Sequence, residues 1–147
     1  MVKLNTDPVC FGSAGDQYGS LISSVNMTVL MFQLVHLSGS VACNKGKDRY
    51  NWGCLFVNKL YLMTVITDEQ NQVIVPEIHF ENHPHRYNLQ GFHANSIYLN
   101  LTRKSEPYRL LNGSGVRVWL TEDLHNFNEY DNDGTSCTDV YAFGYLN

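Results

Sequence analysis

Apolar and polar residues alternate along several short segments of the chain, and these segments are separated by clusters of Gly, Asn, Asp and Pro. Residues 96–102 show the pattern clearly, because Ile97, Leu99 and Leu101 would share one face of a strand and Asn100 the other. A period of two predicts half-buried β-strands. No segment places apolar residues at i, i+3, i+4 and i+7 between a cap and a terminal glycine, so no helix is predicted.

The predicted strands run through the whole chain. They comprise a short strand before a glycine-rich loop in 7–20, Thr28–Leu37, a second strand after Ser38-Gly39-Ser40 ending at Cys43, Leu62–Thr67, Gln72–Val75, Ser96–Thr102, Val116–Leu120 and Asp139–Leu146. Asn112-Gly113 is a hairpin-turn signal. Many short strands without helices predict an all-β fold, a β-sandwich of jelly-roll type. Its closure between first and last strands is similar, by analogy of fold alone, to galactose-binding-like sandwiches.

Length and charge narrow the classes of protein. The 147 residues fit one domain, 1–147, with a core over about 8–146. A net charge of −4 argues against nucleic acid or an anionic membrane as the main partner. The longest apolar run, Val29–Leu37, is interrupted by Gln33 and His36 and is too short to insert across a bilayer.

Four cysteines, none in a C-x-x-C pair, indicate two disulfides and an oxidising compartment. Four cysteines allow three pairings. Because Cys43 and Cys54 flank a polar, turn-rich loop, we expect them to pair, and Cys10 would then tie the first strand to Cys137 in the last.

Three N-glycosylation sequons, at Asn26, Asn100 and Asn112, agree with a secreted glycoprotein. Residues 1–20 lack the continuous apolar segment of a signal peptide. We therefore expect a mature or excised domain that carries an added Met1.

The acidic stretch 119–143 is the candidate metal site. Glu129, Asp131 and Asp133 alternate before Gly134, as at the start of a calcium loop, although the twelfth position is Val140 rather than the glutamate of an EF-hand. The candidate calcium ligands are Glu122, Asp123, Glu129, Asp131, Asp133, Asp139 and, from the glycine-rich loop, Asp16. The sharpest form of this hypothesis gives one cation to Asp131, Asp139 and Glu122 and leaves Asp133 solvated. The alternative is a solvated acidic loop.

Aromatic and histidine residues supply candidate ligand contacts. Aromatic rings beside carboxylates and amides suit a sugar, whose apolar face stacks while its hydroxyls form hydrogen bonds. The candidates are Tyr50, Tyr87, Trp119 and His125, whereas Trp52, beside Gly53-Cys54, is predicted to be core. A second group, His79, His83 and His85, leaves open either a transition-metal site or a polar loop.

Motifs of catalysis are missing from the sequence: it contains no G-x-S-x-G, no H-E-x-x-H and no glycine-rich phosphate loop. We expect no enzyme, because small disulfide-tied β-domains generally act through binding loops on a rigid scaffold. A secreted hydrolase is the alternative, and it requires a concave pocket with a perturbed acid–base pair.

A series of short motifs extends along the chain from about Pro8 to Tyr145. The residues concerned are Cys10-Phe11-Gly12, Asp16, Tyr18-Gly19-Ser20, Leu34-Val35-His36, Ser38-Gly39-Ser40-Val41, Cys43, Trp52-Gly53-Cys54, Thr64-Val65-Ile66-Thr67, Gly91, Glu122-Asp123-Leu124, Asp131-Asn132, Cys137 and Asp139-Val140-Tyr141-Ala142. This order resembles a module that recurs in secreted and surface proteins of corals and sea anemones, including skeletal organic matrix proteins. The resemblance implies an extracellular module with this disulfide framework, and it places Glu122, Asp123, Asp131 and Asp139 in the motif.

Together these observations predict a secreted, lectin-like recognition and adhesion module. We expect it to bind a glycan or an extracellular matrix component through loops at one end of the sandwich, with calcium ordering the acidic loop. The alternative is a structural or assembly protein of a mineralising matrix without a small-molecule site, in which protomers self-associate.

Overall fold

The computed structural model describes residues 1–46, 48–77 and 85–147. The elements are strands apart from one helical turn and one 3-10 turn. They are β1 Val2–Lys3, β2 Val9–Gly12, β3 Gly19–Ile22, β4 Met27–Ala42, β5 Gly53–Phe56, β6 Lys59–Leu62, β7 Thr64–Thr67, β8 Val73–Val75, β9 Tyr98–Thr102, β10 Tyr108–Leu110, β11 Gly115–Leu120, α1 Thr121–Leu124, a 3-10 turn Glu129–Asp131, and β12 Asp133–Leu146. The predicted all-β class is confirmed.

Antiparallel pairing arranges the strands in two main sheets. The larger sheet runs β1-β12-β4-β10, with β2 also paired to β12 and β9 to β4. The smaller sheet runs β3-β11-β7-β8, and β5 and β6 form a separate hairpin. The long pair β4 and β12, which joins Asp133 to Ala42 at one end and Leu146 to Met27 at the other, is the spine of the fold.

β4 is one continuous strand, so the prediction of two strands separated at Ser38-Gly39-Ser40 is wrong. The register shifts because His36 faces Thr138 and Ser38 faces Cys137, which leaves Leu37 as the extra residue of a bulge. Gly39 has φ +74°, and a Cβ there would lie 2.1 Å from the Thr135 carbonyl oxygen. The glycine therefore lets the strand continue beside its partner and does not end it.

Two further boundaries differ from prediction. The segment 62–67 is split at Met63, whose N–H donates to Trp52 and whose carbonyl accepts from Thr121, so the chain changes from the hairpin to the smaller sheet. The turn at Asn112-Gly113 is present, but it connects β10 in one sheet to β11 in the other and does not make a hairpin.

The core lies between the two sheets. Leu99 and Leu101 are fully buried as predicted, whereas Ile97, one residue before β9, is 74% exposed. Trp52 is fully buried, with its ring 6.4 Å from that of Phe11. The alternation along β9 therefore identifies its buried face correctly. The predicted burial of Ile97 is wrong because this residue lies before the strand begins.

Both predicted disulfides are present. Cys10 and Cys137 lie opposite each other in the β2–β12 register. Cys43, just after β4, is joined to Cys54 in β5 and so fixes the base of the hairpin. Within the described residues, no helix is long and apolar enough to cross a membrane.

Candidate functional site

A cleft of about 480 Å³ lies between the β5–β6 hairpin and the segment that follows α1. Its polar lining comes from three parts of the chain and comprises Asn44, Asp48, Asn58, Glu122, Asn128, Tyr130 and Asp131. The backbone N–H of Lys45 donates to the Asp131 carbonyl at 2.7 Å, which joins the loop after β4 to the 3-10 turn. Carboxylates and amides thus converge on a concave surface beside the exposed ring of Tyr130.

The α1 turn explains how two carboxyl groups reach the interior. It follows β11 without a break, and the backbone N–H groups of His125 and Phe127 donate to the carbonyls of Thr121 and Glu122. Glu122 and Asp123 are buried as a result. A four-residue helix is too short to produce a helical pattern in the sequence, which is why sequence analysis placed these acids in a loop.

Glu122 is the buried carboxyl group of the cleft. Burial raises its pKa to about 7, the negative charge of Asp131 adds to this rise, and the Asn132 amide opposes it. Its Oε1 atom is buried without a hydrogen-bond partner. Glu122 also borders a smaller pocket of about 210 Å³, whose lining includes Phe56 and Phe127, so it lies between the two concavities.

Asp123 and Glu129 form a hydrogen-bonded carboxyl pair. Asp123 is fully buried and accepts hydrogen bonds from the backbone N–H groups of Asp16 at 2.8 Å and Gln17 at 2.9 Å. A hydrogen bond to Asp123 raises the pKa of the Glu129 carboxyl, and Glu129 Oε2 is buried without a partner. Two carboxyl groups this close need a shared proton or a cation. The glycine-rich loop thus contacts Asp123 through the backbone of Asp16 and Gln17.

The remaining acids lie elsewhere. Asp139 accepts from Asn5 at 2.8 Å and pairs with Lys3 at 3.2 Å, and it is six residues along β12 from Asp133, or about 20 Å. It is therefore too far away to share a cation with Asp131, and that part of the prediction is wrong. Asp133 pairs with Arg49 near the surface. In the described part of the chain, no three His, Cys, Asp or Glu side chains are arranged to hold a metal ion.

The predicted aromatic contacts mostly lie in the core. Tyr87 is 4% exposed and donates its hydroxyl to the Thr64 carbonyl, and burial raises its pKa. Trp119 is 2% exposed and packs 4.7 Å from the Tyr18 ring. Neither ring can stack on a sugar at the surface, so these two predictions are wrong.

The other two contact candidates, Tyr50 and His125, lie near the surface. Tyr50 is half-buried in a bridge with Val41. His125 Nδ1 lies 2.8 Å from His85 Nδ1, and burial lowers the pKa of both rings. The earlier histidines of the 79–85 group lie outside the described residues.

Sequence analysis missed Asn44, Asn58 and Tyr130. Tyr130 is 81% exposed, and it belongs to the acidic stretch that the sequence did single out. The β5–β6 hairpin was missed because its turn, Val57-Asn58, contains no Gly and so lacks the usual hairpin signal.

The three sequons differ in exposure. Asn26 and Asn112 are exposed, and the Asn26 side-chain oxygen accepts from the Asn112 backbone N–H at 3.0 Å. Asn100 is half-buried on the outer face of β9 and accepts from Gln33 at 2.9 Å. Glycosylation stays a prediction at all three positions.

No protein-family model matches the chain, and no curated protein matches it. Among solved structures, it is similar to AJLec from the sea anemone Anthopleura japonica. The TM-score is 0.90 and the sequence identity 33%, over 98% of this chain and 96% of AJLec. The likeness therefore extends over the whole fold.

Proposed function

Because the chain belongs to the family of the sea anemone lectin AJLec, we propose that it is a lectin-like protein that binds a glycan in the cleft between the β5–β6 hairpin and residues 128–131. One observation carries the choice of site. The cleft combines carboxyl and amide groups with the exposed ring of Tyr130, and these are the groups that recognise a sugar.

Each side chain has a defined part in this proposal. The amides of Asn44, Asn58 and Asn128 donate to and accept from sugar hydroxyls, and the Asp131 carboxylate accepts from them. Tyr130 offers its ring to the apolar C–H face of the pyranose. Binding rather than catalysis is the proposed role, since a hydrolase would require a perturbed acid–base pair and Glu122 is a single carboxyl group of raised pKa in the cleft.

We propose calcium as the cation of the acidic region, held by the Asp123 and Glu129 carboxylates with backbone and water oxygens completing the set. In the described residues no third acidic side chain is arranged with this pair to hold a metal ion, so what supports the proposal is Glu129 Oε2, a buried oxygen without a hydrogen-bond partner. When bound, calcium would supply the positive charge that offsets repulsion among these carboxylates. The chain itself contributes the two backbone N–H groups that already orient Asp123.

We propose that the protein is secreted and meets its glycan on a cell surface or in the extracellular matrix, where it serves adhesion. Two disulfides and the lectin neighbour support this location, because structural disulfides persist in oxidising compartments. The AJLec likeness also supports the expected lectin type. Membership of a coral matrix-protein module stays a prediction.

A glycan array tests the binding site. We expect the wild-type protein to bind a defined set of glycans and Tyr130→Ala to lose at least tenfold in affinity for them. Tyr145→Ala is the matched control, since Tyr145 is 67% exposed at the far end of β12. Equal binding by the two variants would move the site away from this cleft, and an array without any wild-type signal would reject the lectin role.

Thermal unfolding tests calcium separately. Calcium at 100 times its Kd should stabilise the folded protein by about 2.7 kcal/mol, because it binds the folded state alone. We expect a higher Tm in calcium than in chelator for the wild type and a smaller shift for Glu129→Gln. An identical Tm in saturating calcium and in chelator would exclude the ion.

A further inference from the structure

The turn of the β5–β6 hairpin has an unfavourable backbone. Its two central residues, Val57 and Asn58, have φ values of +47° and +64°. Asparagine tolerates the left-handed region, but a β-branched residue there is a true outlier. Val57 is also 97% exposed, so burial of its side chain does not offset the strain.

The strained turn borders the cleft that we propose as the glycan site. Val57 lines the glycan cleft at its mouth, together with Leu55, which lies two residues earlier and is 42% exposed. Phe56, between them, also lines the cleft, and its ring centroid lies 4.5 Å from the Arg86 guanidinium. The hairpin thus places three apolar residues at the cleft, of which Phe56 contacts Arg86 and Val57 is the most exposed.

Residues held in such sparsely populated backbone conformations cluster at active sites and ligand-binding sites. We propose that Val57 is a specificity-determining ligand contact, which packs against the apolar C–H face of a glycan bound in the cleft. The inference rests on the proposed function and extends it, because it defines the ligand as a glycan that exposes such a face towards the hairpin. Sugars whose axial hydroxyls interrupt that face would be bound less well, since Val57 has no group to pair with them.

The test is a pair of substitutions, one that relieves the strain and one that keeps it. Val57→Asn relieves the turn and removes the apolar contact, so we expect Tm to rise by about 2–5 °C while affinity for the array hit falls about tenfold. Val57→Ile keeps both the strain and the contact and should match the wild type in both measurements.

Val73→Asn is the matched control, because Val73 is 38% exposed on β8 of the smaller sheet and away from the cleft. It should leave affinity unchanged and lower Tm. Unchanged affinity in Val57→Asn would overturn this inference alone and leave the lectin role intact. A Tm that does not rise in Val57→Asn would remove its physical premise. Absence of any wild-type glycan binding would overturn the proposed function and this inference together.

Discussion

The two disulfides should have separable roles. Replacing Cys10 and Cys137 by Ala is expected to cost much stability and to leave glycan affinity nearly unchanged in the protein that remains folded. Replacing Cys43 and Cys54 by Ala is expected to cost less stability and to weaken glycan binding at least tenfold.

Loop length sets the two stability costs. The cysteines are 127 residues apart in the first bridge and 11 in the second. The loss of chain entropy in the unfolded state then corresponds to about 5 kcal/mol for the long loop and about 3 kcal/mol for the short one. The long-loop bridge therefore contributes about 2 kcal/mol more.

The contacts around each bridge set the effect on binding. Cys10 and Cys137 are partners in the β2–β12 ladder, so hydrogen bonds keep the strands in register when the bridge is removed. Cys54 belongs to a hairpin whose strands pair with each other as a separate two-stranded sheet, and both Cys43 and Cys54 line the cleft. Without the bridge, fewer bonds hold the base of the β5–β6 hairpin. Ligand binding must then order the hairpin, and the entropy cost of that ordering lowers the affinity.

Urea unfolding and calorimetric titration with the array hit measure the two effects on the same samples. We expect a lower urea midpoint and a steeper slope for the Cys10/Cys137 variant than for the Cys43/Cys54 variant, because loss of the long-range bridge expands the unfolded chain more. Wild-type affinity in the Cys43/Cys54 variant, or a larger stability loss from the short loop, would refute the reasoning.

Two pH-dependent predictions concern carboxyl groups. The folded-state pKa of Glu122 is raised from 4.5 to about 7, so ionisation destabilises the fold as pH rises through that interval. In chelator at pH 8, the free energy of unfolding of Glu122→Gln, measured by urea unfolding, should exceed that of the wild type by about 2 kcal/mol after allowance for solvent in the cleft. At pH 4 the two proteins should be equally stable. An equal gain at both pH values would contradict this. Hydrogen bonds from Ser105 and Lys104, aided by Arg103, lower the pKa of Glu77 from 4.5 to about 2, so its stabilisation is present above pH 4.5 and lost as pH falls to 2. Glu77→Gln should therefore lower Tm by about 1–3 °C at pH 7 and leave it unchanged at pH 2.

Local patterns in the sequence were sufficient for the fold class and the disulfide framework. The alternation around Leu99 and Leu101 identified a strand with one buried face, and the loop between Cys43 and Cys54 identified their pairing. These features depend on neighbours in the chain, because the direction of each side chain in a strand follows from its position. The acidic stretch likewise contributes four of the seven described polar residues that line the cleft, Glu122, Asn128, Tyr130 and Asp131.

The tertiary structure decided which residues form the site. Asn44, Asn58 and Asp131 come from three distant segments. Asn44 and Asp131 meet because β4 and β12 pair along their full length, so the loop after β4 and the turn before β12 lie at the same end of this pair. The same pairing carries Asp139 away from Asp131, although the two are close in sequence. Burial of Trp119 and Tyr87 depends in the same way on which sheet covers them. Alternation along one strand shows which residues share a face of the strand. What packs against each face is decided by contacts between residues far apart in the chain.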